Sequence, residues 1–353
     1  GSQSGRIAMT DAFSQVVGQP AAVSMLRTAL MNPVHAYLLN GPEGSGLRNL
    51  AVSFAAELLA HDRENPDHHR RLALAEAHSD LLIVEREGTE YRREEAELMR
   101  GAGYRSPFEG DRQIILIDDI QLANPEFVGM TLKVLEEPPP STYFILTAEE
   151  VTSQLATIAS RCTPVDLAAV DTEDLVAHLH MLGVDEDRAR AIANIADASI
   201  DRAVLLASDS AALERWETWF QLRTNLDGTG SAATLAVDRL LHMVDEAADP
   251  LRKRQERELE ELDELAERYG ERGLGRSKLE TRHKRELRRL RTDELVMGMT
   301  AVGNAISEGI RSGSIDALNG SNSLASVTTA ANDLRRNGNE RLQLQKLFIN
   351  LKV

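Results

Sequence analysis

The chain has 353 residues, of which 42% are apolar and only 4% aromatic, a composition that excludes a fibrous or disordered protein and favours helix-rich packing. The single cysteine, Cys162, excludes a disulfide framework and a cysteine-cluster zinc site, and favours a reducing cytoplasm. The net charge of −16 argues against broad DNA wrapping, and the absence of a long apolar run argues against a membrane span. The residues before Met9 resemble a cloning remnant rather than part of a fold.

Residues 9–167 alternate short apolar runs with amphipathic stretches. The apolar runs are residues 37–39, 81–84, 113–117 and 143–147. Short runs with β-branched or aromatic members are typical of buried parallel strands. Because helix-like segments separate them, this part of the chain is predicted to be an α/β domain with a parallel sheet.

The rest of the chain is predicted to be helical. An acidic helix start at Asp171 opens a small three-helix unit over residues 168–210, and residues 211–353 form a separate all-helical domain. Within that domain, residues 251–290 are rich in charge, and leucines recur at spacings of three or four on both sides of Gly270, Gly273 and Gly275. This pattern predicts two amphipathic helices joined through a glycine turn.

Two interpretations of this predicted hairpin remain open. It is either a solvated helix pair that serves stability, or a protruding arm that touches a partner or nucleic acid. The second interpretation rests on the basic residues of its second half, which are Lys278, Arg282, Lys284, Arg285, Arg288, Arg289 and Arg291.

The segment Gly-Pro-Glu-Gly-Ser-Gly-Leu-Arg, residues 41–48, follows the first predicted strand and precedes a helix. Gly41, Gly44 and Gly46 match the scaffold of a phosphate-binding loop, G-x-x-x-x-G-K-[ST]. However, Leu47 stands where lysine should meet the phosphates, and Arg48 stands where Ser or Thr should ligate magnesium. Either Arg48 shifts in register and replaces the lysine, or the loop keeps the shape of a nucleotide site without its chemistry. We favour the second interpretation.

The third predicted strand ends at Asp118 and Asp119. In a nucleotide hydrolase this is the place of the acid that orients magnesium and of the acid that polarises water. Two acids at a strand end also serve simply to cap the next helix, so the pair gains meaning only beside the glycine-rich loop.

The motifs together resemble the delta-prime family of bacterial DNA polymerase III clamp-loader subunits, which are AAA+ proteins. The resemblance covers most of residues 13–206. The segments that resemble the family are Phe13-Ser-Gln-Val-Val-Gly-Gln19, His35-Ala-Tyr-Leu-Leu-Asn-Gly-Pro42, His78-Ser-Asp80, Leu132-Lys-Val-Leu-Glu-Glu-Pro-Pro139 and Ser160-Arg161-Cys162. The resemblance implies a P-loop sheet domain (residues 9–167), a three-helix lid (168–210) and a helical collar (211–353) that assembles subunits into a ring, with residues 251–290 inserted into it.

The resemblance also implies roles for single residues. Arg161 corresponds to an arginine finger that reaches the ATP of a neighbouring subunit, although it could instead pair with a local carboxylate. Thr147 and Arg202 correspond to sensor positions, with the arginine one place late. The family's four-cysteine zinc module is absent; a site formed by His61, Asp67, His68 and His69 is conceivable, but adjacent histidines on a helix point apart. No metal or cofactor is therefore expected, and Cys162 is expected to be a small buried residue.

The leading hypothesis is a non-hydrolysing structural subunit of the replicative clamp loader, within the DNA polymerase III holoenzyme. Its expected partners are the delta and gamma/tau subunits in a hetero-oligomeric ring, and, through that complex, the sliding clamp and primer–template DNA; no membrane or small-molecule substrate is expected. The first alternative is an ATP-hydrolysing motor subunit of the same loader, which would need lysine at position 47. The second is a DNA-binding module that uses the basic hairpin.

Overall fold

The computed structural model describes residues 11–86, 90–209, 211–269, 276–335 and 339–351. The described residues up to Val204 form one compact unit, and those from Leu205 onward form a second. The predicted three-part division of the chain stays a prediction. The N-terminal segment before Met9 and the predicted turn at Gly270, Gly273 and Gly275 lie outside the described residues.

The first unit contains a five-stranded parallel sheet in the order β2-β3-β4-β1-β5. The strands are β1 (Ala36–Asn40), β2 (Leu81–Val84), β3 (Gln113–Ile117), β4 (Thr142–Ala148) and β5 (Thr163–Asp166). The four predicted strands are confirmed. The fifth was missed because it is a short edge strand that contains Pro164 and buries little besides Val165, so its sequence carries no apolar run.

Helices cover both faces of this sheet, as the alternating pattern predicted. In this unit they are α1 (Pro20–Leu30), α2 (Leu47–Ala60), α3 (Pro66–Leu74), α4 (Arg93–Gly103), α5 (Pro125–Glu136), α6 (Ala156–Ala159), α7 (Thr172–Met181) and α8 (Glu186–Ala196). The helix α9 (Ile200–Ser208) begins in this unit and ends in the second. Leu39 and Leu116 point into a core that they share with α1 and α2. Leu38 and Ile115, one residue earlier on the same strands, point into a second core with α4 and α5.

The second unit is all-helical over its described residues, which confirms the predicted fold class of α/β followed by all-α. Its helices are α10 (Ala212–Phe220), α11 (Gly230–Ala247), α12 (Asp249–Tyr269), α13 (Arg276–Ser312), α14 (Ala317–Arg335) and α15 (Glu340–Asn350). In the described part of the chain, no helix is both long and apolar enough to cross a bilayer.

The helices α12 and α13 form the charged pair that the sequence predicted, and polar contacts join them. Arg254 donates to Glu286 at 2.7 Å, and the buried Gln255 donates to the backbone oxygen of His283 at 3.1 Å. Arg276 pairs with Asp263 across the two helices. These arginines therefore neutralise acids of the pair itself, which reduces the positive charge that the pair can offer to phosphates.

A buried ion pair anchors α10 to α13 in the second unit. Arg215 donates through Nε to Glu294 at 2.9 Å, and Glu294 has no solvent exposure. Next to the pair, Trp219 packs against Gly298 so closely that a Cβ at residue 298 would lie 2.3 Å from the indole ring. The helices thus meet over an aromatic contact, and the ion pair fixes their register.

We predict that Glu294→Ala destabilises the second unit by about 3–5 kcal/mol, because the substitution leaves the Arg215 charge buried without its main partner. Both tryptophans of the chain, Trp216 and Trp219, lie on α10, so tryptophan fluorescence during urea unfolding reports on this unit. Glu280→Ala, which removes an exposed partner of Arg276, is the control and should leave the urea midpoint nearly unchanged. Equal urea midpoints for the two variants would contradict the stabilising role of the ion pair between Arg215 and Glu294.

Candidate functional site

The loop of residues 41–48 joins β1 to α2 at the carboxyl end of the sheet, where open parallel sheets bind ligands. Gly44 and Gly46 have φ values of 76° and 84°, a left-handed conformation that favours glycine. Gly46 directly precedes the first turn of α2. The backbone therefore has the shape of a phosphate-binding loop, as its glycine spacing predicted.

The start of α9 packs directly on this loop. The backbone N–H of Ile200 donates to the oxygen of Gly44 at 3.2 Å, and a Cβ at residue 44 would lie 2.7 Å from Ser199. On another side, the buried Gln19 donates to the oxygen of Ser45 at 3.1 Å. Backbone and side chains of this same chain thus hold the loop in place.

Leu47 and Arg48 both lie in the first turn of α2 and face different surroundings. Leu47 packs against the apolar core between α2 and the sheet. Arg48 instead contacts three carboxylates. It donates hydrogen bonds to Asp118 Oδ2 at 2.6 Å and to Glu76 Oε2 at 3.0 Å, and it lies 3.8 Å from Glu85 Oε1. We call these three acids and Arg48 the Arg48 cluster.

The Arg48 cluster places a fixed positive charge beside the acid predicted to orient magnesium. Burial lowers the pKa of Arg48, but the adjacent Asp118, Glu76 and Glu85 together raise it above its ordinary value, so the side chain stays charged. A guanidinium has no lone pair to offer to a metal, and it repels a cation. These residues therefore do not fit a magnesium–nucleotide complex.

Asp118 and Thr147, predicted on separate strands, lie in direct contact. Thr147 donates its hydroxyl to Asp118 Oδ1 at 2.5 Å, while Asp118 Oδ2 is bound by Arg48. The backbone N–H of Asp119 donates to the same Thr147 hydroxyl at 3.0 Å. Both carboxylate oxygens of Asp118 thus have partners within the chain, and the ends of β3 and β4 are joined.

Asp119 has a strained backbone and an unusual pKa. Its φ of 52° lies in the left-handed region. Partial burial, the charge of Asp118 and that of Glu149 raise the pKa of Asp119 to about 7, against a smaller opposing effect of Arg86. At neutral pH this carboxyl group is therefore partly protonated, unlike the acid that polarises water in a nucleotide hydrolase.

Arg202, the predicted sensor residue, is bound to the loop from the opposite side. Its side chain is buried; one terminal nitrogen donates to the oxygen of Ala196 at 2.8 Å, and the other lies 3.6 Å from Glu43 Oε1. Glu43 belongs to the phosphate-type loop itself. The loop therefore carries its own anion, which pairs with the arginine at the predicted sensor position.

Arg161, the predicted finger, lies at the surface beyond α6 and contacts Glu136 at 2.7 Å. Cys162, directly beside it, is buried at the sheet, and burial raises the pKa of its thiol to about 12. A thiol with that pKa is not a nucleophile near pH 7. Cys162 thus packs as a small residue, as expected.

The histidines between α2 and β2 form a group different from the one considered in the sequence. His69 meets His78 at 2.9 Å, and an oxygen of the exposed Glu109 lies near both rings. The other ring nitrogen of His78 accepts the backbone N–H of Asp80 at 3.0 Å, so the nitrogen facing His69 carries the proton of a neutral ring. A metal-binding histidine has the reverse arrangement, and these residues therefore do not fit a metal site as they stand.

Four acids that complete these contacts were not singled out from the sequence. They are Glu43, Glu76, Glu85 and Glu136. Glu85 directly follows β2 at the carboxyl end of the sheet, which is the same position that drew attention to Asp118. Glu76, with a φ of 55°, lies in a turn after α3, and no sequence motif marks it.

A parallel sheet of this order, with a phosphate-type loop after β1 and acids after β3, agrees with the P-loop sheet domain that the resemblance implied. Residues 18–171 match the model of the family described as "DNA polymerase III, delta subunit". The chain is 33% identical over 135 residues to DNA polymerase III subunit delta' of Pseudomonas aeruginosa, over 36% of this chain and 41% of that protein. It is 25% identical over 232 residues to subunit tau of Bacillus subtilis, over 59% and 40% respectively.

Over residues 18–171 the chain is therefore similar to DNA polymerase III subunits. The matches span 36–41% of the length of the first four curated relatives. A gamma subunit-related protein of Thermotoga maritima is similar in structure, with 16% identity and a TM-score of 0.46 over 94% of this chain and 98% of that one.

We predict that Asp119→Asn becomes progressively more stable than the wild type as pH rises from about 4 to 8. With its raised pKa, folded Asp119 keeps a proton that the unfolded chain releases, so wild-type stability falls as pH increases through this range. Asparagine stays neutral and tolerates the left-handed backbone. Urea unfolding followed by circular dichroism at several pH values measures the difference, and a difference that does not vary with pH would contradict this assignment.

Proposed function

We propose that this chain is a non-hydrolysing subunit of a DNA polymerase III clamp loader, located in the cytoplasm, which helps to load the sliding clamp onto primed DNA. The supporting observation is the Arg48 cluster, in which a guanidinium neutralises the acid that would orient magnesium. Leu47 gives further support. At the position where lysine would meet the phosphates of a nucleotide, this aliphatic side chain packs against the core.

In this proposal the chain supports catalysis at another subunit's site. Arg161 is exposed enough to meet a neighbouring molecule, and the planar, permanently charged guanidinium suits the charge that develops on a transferred phosphoryl group. The chain needs neither ATP nor a metal of its own for that role. The names of its relatives, subunits tau, gamma and delta', support the delta and gamma/tau subunits as partners in a hetero-oligomeric ring.

The clamp and the primer–template DNA then enter as ligands of the complex rather than of this chain alone. The overall charge of −16 opposes tight DNA binding by the isolated chain. The ion pairs that join α12 to α13 support a role in stability for that helix pair.

We predict that Arg161→Ala leaves the fold intact but removes the ATPase activity of the site it serves in a reconstituted loader. Arginine fingers contribute roughly 10³–10⁵-fold to turnover at one site, so the loss of total activity should equal that site's share. The measurement is ATP turnover in the presence of clamp and primed DNA, with circular dichroism as the folding check.

Arg190→Ala is a matched control, since Arg190 is another exposed arginine that pairs only with local acids in the contacts described here. It should leave turnover unchanged. If Arg161→Ala also leaves the turnover of the reconstituted loader unchanged, Arg161 is not an arginine finger.

A further inference from the structure

Acceptors on the same chain hold the guanidinium of Arg161. Its Nη2 donates to Glu136 Oε1 at 2.7 Å, and its Nη1 donates to the backbone oxygen of Thr157 at 3.0 Å and to the hydroxyl of Ser160 at 3.3 Å. Both terminal nitrogens are therefore engaged within the subunit. A guanidinium in this arrangement must exchange at least one acceptor before it can bind a phosphate through both nitrogens.

Glu136 lies at an unfavourable place for an acid. It is the last residue of α5, and Glu137 follows it. The carboxyl end of a helix carries partial negative charge, which disfavours carboxylates and favours cations. An acid that breaks this preference at an exposed position suggests a role other than helix stability. The contact with Arg161 offsets the unfavourable charge and gives Glu136 a defined partner.

The contact between Arg161 and Glu136 is exposed and weak, so another anion can replace the carboxylate. The side chains of Arg161 and Glu136 are 34% and 51% exposed, respectively. An ion pair this exposed shifts an equilibrium by only up to about fivefold. A triphosphate carries more negative charge than a carboxylate and can accept two parallel hydrogen bonds from guanidinium, so it is the stronger partner at close range.

We propose that Glu136 is a positioning residue that holds Arg161 in a resting position on its own subunit until a neighbour's triphosphate replaces the carboxylate. This inference rests on the proposed function, since it presumes that Arg161 acts in trans. The carboxylate competes with the phosphate for the same cation. Glu136 therefore weakens the apparent binding of ATP at the neighbouring site and leaves the chemical step largely unchanged.

The test is Glu136→Gln in the reconstituted loader, because glutamine keeps the size and one acceptor oxygen but removes the charge. We expect the KM for ATP to fall about threefold with little change in kcat, within the range of an exposed ion pair. The difference from the wild type should shrink as salt concentration rises. Glu137→Gln, which removes the same charge one residue away, is the matched control and should behave as wild type.

Arg161→Ala and the double variant Arg161→Ala, Glu136→Gln separate this inference from the proposed function. If Arg161→Ala removes the activity of the site it serves while Glu136→Gln leaves KM unchanged or raises it, the resting-position role is wrong and the finger role stands. If Arg161→Ala keeps full activity, both are wrong. If both hold, the double variant matches Arg161→Ala, because without the guanidinium the carboxylate has nothing to hold.

Discussion

The contact between the Arg48 guanidinium and the carboxylate of Asp118 determines how the rest of the site is organised. It joins the first turn of α2 to the end of β3, at the point where a nucleotide-hydrolysing relative would need a magnesium ion. Because the arginine is permanently charged and the acids Glu76 and Glu85 surround it, the interaction is complete without any ligand. A metal ion would have to compete with the Arg48 guanidinium for the carboxylate of Asp118.

A second charge pair within the chain also involves the phosphate-type loop. Glu43 lies in the phosphate-type loop and pairs with the buried Arg202, while the start of α9 packs on Gly44. The loop and the helices that cover it are therefore held together by the chain's own charges and backbone contacts. Arg161, by contrast, is held by exposed acceptors among the described residues.

The sequence predicted the framework well, since apolar runs and glycine spacing report directly on backbone requirements. Four of five strands, the phosphate-type loop and the all-helical second unit followed from such patterns, whereas β5 did not, because a strand at the edge needs little apolar surface. That Leu47 and Arg48 leave the loop with the shape of a nucleotide site but without its chemistry stays a prediction. The sequence did not predict Glu76 or Glu43 as partners, because long-range ion pairs depend on which loops the fold brings together and leave no periodic signal.

The most direct test of this account is the interaction of the isolated chain with ATP, measured by titration calorimetry and by phosphate release with magnesium and with a chelator. The account predicts no magnesium-dependent binding and no turnover above background, since Arg48 pairs with the acid that would orient the metal and Leu47 provides no charge. Tight magnesium-dependent binding, or turnover typical of a motor ATPase, would contradict it.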